Sequence, residues 1–177
     1  MQVFDAFRAR LQLQAFEFLT DRALHHVLAH GAQAPFAETH PFYVVTEFAS
    51  DEASETEALA AFEQCMEAGL VSDGVISQSD AQAAQLWRLR EGITESLAKH
   101  RPYKNDVSVR IAAVPAFLHD TQALLAREYP HFEVVWFGHI GDGNLHINVL
   151  KPDGMAQDAF VADCERVTKL LARVRQA

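Results

Sequence analysis

The sequence predicts an α+β fold, an antiparallel sheet with helices packed on one face in the ferredoxin-like manner. Three observations point there. Runs of β-branched and aromatic residues (PFYVVTEF, NDVSVRIAAV, FEVVWFGHI, NLHINVL) interleave with longer runs of helical period. Asp142-Gly143 joins two of these runs directly, so at least one strand pair is antiparallel. The length, 177 residues with 49 % hydrophobic, suits one domain over 1–177 with a sizeable core. Strand order does not follow from sequence.

Element by element, Val3, Phe4, Phe7, Leu11 and Phe18 recur near helical period, which predicts an amphipathic helix over the first twenty residues. DRALHHVLAHG is a second helix ending at Gly31; its histidines, His25, His26 and His30, have no acidic or cysteine partner nearby in sequence and suit a solvated or core-flanking face. PFYVVTEF is a strand after Pro41. Ser54 and Glu57 suit a capping box for the next helix, with Leu59, Phe62 and Met66 as its apolar stripe and Gly69 as its stop. LVSDGVIS is expected to be a strand. Ser79 or Asp80 caps a long helix to about Lys99, ended by Pro102. NDVSVRIAAV alternates, with Val107, Val109 and Ile111 on one face and Ser108 and Arg110 on the other. Pro115 opens a helix to about Glu128. FEVVWFGHI and NLHINVL form the hairpin strands, and a last helix runs from about Ala156 to Arg175.

The formal charge is −9, from 15 Lys plus Arg against 24 Asp plus Glu, which argues against a nucleic-acid or anionic-membrane surface. No run reaches the roughly 18 apolar residues of a spanning helix. Asp5, Arg8 and Arg10 break any apolar signal core, so a cytoplasmic protein is expected. Cys65 and Cys164 lack neighbours at metal or redox spacing and are expected as buried free thiols, with a disulfide between them as the alternative.

The stretch GHIGDGNLHINV carries the chemistry. With Asp142 and Gly143 as a two-residue turn, His139 would directly face His146, with Cβ atoms about 4.5–5.5 Å apart and both imidazoles in reach of one ion. Asn148 would share their face, and Gly138 would leave room beside His139 for a ligand or another backbone. Two histidines leave a metal under-coordinated, since catalytic zinc usually has three protein ligands and an open position. The alternative is a hairpin whose histidines stack and bond to backbone. Asp142 is read as a turn residue rather than a base.

In the helix from residue 80, Leu86, Leu89, Ile93 and Leu97 form the buried stripe, and Arg90 projects only about 20° from Leu97, with Thr94 one turn on. A guanidinium beside the core with a hydroxyl at i+4 suits a two-pronged grip on a carboxylate. The alternative is an Arg paired with Glu91 or Glu95. Lys104 either adds a second positive charge or is merely solvated. Taken together, two cations, a hydroxyl and a hairpin metal would suit a 2-hydroxy acid chelated through hydroxyl and carboxylate, the metal lowering the hydroxyl pKa. The chain has no GxGxxG or other phosphate cradle for a dinucleotide.

GHIGDGNLHINV, LWRLREGITESL, YKNDVSV and AFEFLTDRAL, in this order-compatible arrangement, resemble segments of the C-terminal substrate domain of FAD-linked 2-hydroxyacid dehydrogenases of the vanillyl-alcohol-oxidase type, which act on D-lactate, D-2-hydroxyglutarate or glycolate. The resemblance covers nearly the whole chain. It implies His139 and His146 as ligands of zinc or another divalent metal, and Arg90, Thr94, Lys104 and Asn148 as contacts to a small 2-hydroxy acid. It also implies an FAD bound mainly by a domain upstream of this one. Family members carry a further Glu-His-Gly stretch, after the helix matched by Ala156 to Arg175, that supplies a third metal ligand and a proton-accepting histidine. The expectation is therefore a fragment, inactive by itself, of a D-2-hydroxy acid oxidoreductase, with a homodimer as the candidate assembly. A non-catalytic carboxylate- or partner-binding module is the second reading, and a metallohydrolase the third.

Overall fold

The computed structural model describes residues 1–174. In chain order the elements are α1 (Gln2–Arg8), β1 (Leu13–Thr20), α2 (Asp21–Ala29), β2 (Phe42–Phe48), α3 (Glu52–Glu67), α4 (Asp80–Leu97), β3 (Tyr103–Ser108), α5 (Val114–Glu128), β4 (Glu133–His139), β5 (Asn144–Leu150) and α6 (Gln157–Val174). The five strands form one sheet in the order β2-β1-β4-β5-β3, and every pairing is antiparallel. The α+β class is as expected. The predicted end of the last helix at Arg175 lies outside the described residues.

Strand alternation divides the sheet into two apolar faces, and helices cover both rather than one. Leu19, Tyr43, Val135, Phe137 and Leu150 pack under α2 and α4 against Leu24, Val27, Leu89, Ile93 and Leu97. Phe18, Trp136, Leu145 and Ile147 pack on the opposite face against Phe117, Leu124, Leu125, Val167 and Leu171 of α5 and α6. The sheet's central strands are apolar on both sides, so neither face could be left to water. On the first face, however, the cover stops short. Lys104, Asp106 and Ser108 of β3 are exposed there, and Asn144 and His146 of β5 are half-buried. That open end is where the polar residues collect.

Several local expectations give way to tertiary pairing. The first twenty residues are a short helix and then a strand: Val3, Phe4 and Phe7 lie on the helix, which ends at Arg8 before Leu11, and Phe16 and Phe18 alternate with Glu17 and Leu19 on a strand paired on both edges. Asp51, not Ser54, caps α3; its carboxylate accepts the Ser54 backbone N–H at 2.9 Å and the Ser54 hydroxyl at 2.8 Å. The buried stripe of α3 is Ala58, Ala61 and Cys65, which pack against Phe7 and Leu11, while Leu59 and Met66 are 50 % and 40 % exposed. Small residues win that face because they let α3 lie close on α1. LVSDGVIS forms no strand; Val75 is 56 % exposed, and a Cβ at Gly74 would meet the Phe62 ring at 2.3 Å, so the segment folds back on α3 instead of joining the sheet. Gly69 stops α3 as expected, at φ +66°. Cys65 and Cys164 are buried and free. No helix among the described residues is long and apolar enough to cross a membrane.

The β4–β5 hairpin also departs from its expected register. Its loop is Ile140–Gly143, four residues rather than two, and His139 pairs with Asn144 while Phe137 pairs with His146. Asp142 N–H donates to the His139 carbonyl, the Asp142 carboxylate accepts the Asn144 N–H at 3.0 Å, and only Gly143 has positive φ, +81°. A type I′ turn would need positive φ at Asp142 as well. The loop is held from outside. Gly141 N–H donates to the Phe16 carbonyl, and Val109 N–H donates to the Gly143 carbonyl. A Cβ at Gly143 would stand 2.0 Å from the Val109 carbonyl oxygen. Gly143→Ala therefore meets a backbone clash and an unfavourable φ together, and is expected to lower stability by about 2–4 kcal/mol, read as a reduced urea midpoint at constant m-value.

A second set of histidines lies at the other end of this face. His26 Nε2 is 2.9 Å from Glu133, and its ring meets that of His100 edge-on at 5.1 Å. Among the described residues, His100 Nε2 is buried and has no hydrogen-bond partner. Burial, then the neighbouring charges of His26 and Lys99, hold the His100 pKa below its ordinary 6.5, against the opposing pull of Glu133 and Asp153. The unfolded chain thus takes up this proton at higher pH than the folded one, so the contribution of His100 to stability is present above about 6.5 and is lost as pH falls below it. Thermal melts between pH 7 and pH 5 should show a smaller loss of Tm for His100→Gln than for the wild type; equal slopes would refute this.

Candidate functional site

The site grows out of one sequence oddity, a glutamate inside an apolar run, AFEFLT. Glu17 is 4 % exposed, and alternation on β1 turns it to the same face as Leu19. It survives burial because both carboxylate oxygens are occupied. Arg90 Nε donates to Oε2 at 2.8 Å, and His139 Nδ1 lies 2.7 Å from Oε1. Continuing the β1–β4 register from Phe18↔Gly138 places Glu17 opposite His139. Arg90 is delivered by α4, whose stripe of Leu89, Ile93 and Leu97 seats the helix on the sheet. The guanidinium is 7 % exposed and sits 4.9 Å from the centre of the Phe137 ring.

His146 stands diagonally across from His139 on the same face, with ring centres 5.6 Å apart and planes at 78°. The histidines are therefore neighbours without being opposed, which corrects the expected register. His146 also has a carboxylate partner: Asp106, its register partner on β3, is 2.6 Å from His146 Nδ1. Each imidazole thus engages a carboxylate through Nδ1 and keeps Nε2 for something else. Gly138 opposes Leu145, and a Cβ there would lie 2.3 Å from the Asn144 carbonyl oxygen. The room beside His139 is filled by the partner strand's backbone, which brings the two strands tightly together under the histidines.

The remaining candidates lie close by along the same face or helix. Lys104 and Asn148 are register partners, Lys104 exposed and Asn148 buried, one step along from the Asp106–His146 pair. Thr94 is exposed, one turn of α4 beyond Arg90. Arg90 pairs with neither Glu91 nor Glu95 but with Glu17, seventy-three positions away. An open cleft of about 300 Å³ lies over the hairpin, lined by Asp106, Val107, Ser108, His139, Asn144, Leu145 and His146. Glu17 and Asp106 are the two residues that sequence reasoning missed. The signal for Glu17 was a lone acid flanked by phenylalanines; for Asp106 it was the alternation that puts Lys104, Asp106 and Ser108 on one face. Among the described residues no group of three or more His, Cys, Asp or Glu side chains is arranged to hold a metal ion.

Comparison with known proteins gives this geometry a context. Residues 1–177 match the family described as FAD linked oxidases, C-terminal domain. The chain is 77 % identical over 177 residues to a D-2-hydroxyglutarate dehydrogenase of Xanthomonas citri pv. viticola, covering 99 % of this chain and 38 % of that protein. It is 52 % identical over 171 residues to a D-2-hydroxyglutarate dehydrogenase of Stutzerimonas stutzeri, covering 96 % and 37 %. A mitochondrial D-2-hydroxyglutarate dehydrogenase of Arabidopsis thaliana is 42 % identical over 142 residues, 77 % of this chain and 25 % of the relative. The chain thus spans well under half the length of the relatives it matches. By the match over its whole length, the chain belongs to the family of FAD-linked oxidase C-terminal domains.

Proposed function

We propose that this chain is the substrate- and metal-binding domain of an FAD-dependent oxidoreductase that converts a D-2-hydroxy acid to the 2-oxo acid, with D-2-hydroxyglutarate the first acid to try, since that is what the relatives are named for. One observation carries the reading: two adjacent imidazoles, each bonded through Nδ1 to a carboxylate, stand beside a buried guanidinium at the open end of the sheet. Histidines that ligate metals commonly donate their other ring N–H in this way, which fixes the tautomer and raises ligand basicity. His139 and His146 would hold zinc or another divalent ion through Nε2, with further positions left to water, substrate or a ligand from outside the described residues.

Within this reading each side chain has a task. Arg90, with Nε spent on Glu17, keeps its Nη donors for a substrate carboxylate, and Lys104 adds positive charge from the sheet edge. Thr94 and Asn148 supply uncharged hydrogen bonds that orient the acid. The divalent ion would supply Lewis acidity that lowers the pKa of the substrate hydroxyl, and FAD, bound mainly outside this chain, would supply the hydride acceptor.

The reading is tested on the intact flavoprotein that contains this domain. Anaerobic D-2-hydroxyglutarate should bleach its flavin; a flavin that stays oxidised across a panel of D-2-hydroxy acids would sink the claim. The double variant His139→Ala/His146→Ala should lose the saturable one-site zinc isotherm of the wild type in calorimetry. Arg90→Lys keeps the charge but not the fork, and KM for the acid should rise about tenfold or more, the loss of one charge-assisted hydrogen bond of roughly 1.5–3 kcal/mol.

A further inference from the structure

We propose that Glu17 is a positioning residue that sets the tautomer of His139 and the aim of Arg90 with a single carboxylate. The proposal rests on the reading of His139 as a metal ligand and Arg90 as the carboxylate grip. One oxygen goes to each partner, Oε1 to His139 Nδ1 at 2.7 Å and Oε2 to Arg90 Nε at 2.8 Å. A carboxylate is acceptor-only, so the neutral imidazole facing it must carry its proton on Nδ1. That leaves the Nε2 lone pair unprotonated, as metal ligation requires. The same carboxylate ties down Nε, the inner donor of the guanidinium, and so fixes the plane in which the Nη donors are offered.

Packing alone gives no reason for this arrangement. Glu17 and Arg90 have side chains 6 % and 9 % exposed, and a buried ion pair is often replaceable by apolar residues of similar volume without loss of stability. Leu19, the next residue on the same face of β1, shows that the position tolerates an aliphatic neighbourhood. An acid at 17 is explained by what it holds. It reaches the histidine opposite it on β4 and a helix residue above, and it is buried while His139 keeps a half-exposed ring at the cleft.

The test uses the intact protein, stripped of metal and labelled with ¹⁵N-histidine, at a pH where the imidazoles are neutral. Ring ¹⁵N shifts, assigned with His139→Asn and His146→Asn variants, report the tautomers. In the wild type His139 should be protonated on Nδ1. In Glu17→Gln the single amide oxygen goes to the charged Arg90 Nε–H and the amide NH2, a donor, faces His139, so His139 should shift toward the Nε2–H form while His146, held by Asp106, keeps its signal. Zinc affinity in the same variant should fall about 10–100-fold. A wild-type His139 in the Nε2–H form, or a Glu17→Gln protein with unchanged His139 signals and zinc affinity, would overturn the proposal. Should Glu17→Gln not fold, the wild-type tautomer decides alone. A wild type that binds no zinc counts against the proposed function, whereas the tautomer response judges Glu17 separately.

Discussion

A buried carboxylate sets the terms for this structure. Glu17 lies on the central part of the sheet, where an unpaired charge would be untenable, and it is made tolerable by Arg90 from α4 and His139 from β4. Three elements distant in sequence are thereby tied at one point. Removing one partner of such a pair leaves an uncompensated charge, a loss of about 3–5 kcal/mol, whereas replacing all of them by apolar groups can be neutral. The contact therefore constrains the arrangement far more than it stabilises it. It requires α4 to sit at one height on the sheet and the hairpin to present His139 at one position.

The second constraint is incomplete cover. On the face that carries Glu17, α2 and α4 close over β2, β1 and β4, and the end formed by β5 and β3 stays open. Alternation then sorts the residues without further help: Val107 turns toward the core, and Lys104, Asp106 and Ser108 turn to the open side. The site forms along this boundary between buried and wet. Arg90 and Asn148 are on the dry side, and His146 and Asp106 on the wetter one. Charges at such a boundary act through a lower dielectric than at a free surface, so few groups suffice.

The hairpin translates this placement into distances. Close backbone approach at Gly138 and Gly143, together with the bonds from the loop to Phe16 and Val109, fixes a register in which the histidines are diagonal neighbours. Diagonal positions on paired strands are about 7–8 Å apart at Cα, within reach for rings turned toward one another. The expected two-residue turn would have opposed them directly. Either register leaves them on one face, which is why His139 and His146 are neighbours although the turn is longer than two residues.

What the sequence determined by itself was whatever depends on local pattern. The helices from Asp21 and Asp80, the strand after Pro41, the hairpin strands and the shared face of the two histidines were legible, because each rests on periodicity or on a cap within a few residues. The family resemblance in GHIGDGNLHINV and its companion segments was legible for the same reason. Tertiary structure decided the rest. Leu13–Thr20 is a strand because β2 and β4 pair with it, 70–77 is not one because it has no sheet edge to join, and the helices lie on both faces because both are apolar. It also decided the carboxylates. Glu17 meets Arg90 seventy-three positions away and Asp106 meets His146 forty away, and no local pattern encodes a contact made by pairing distant strands.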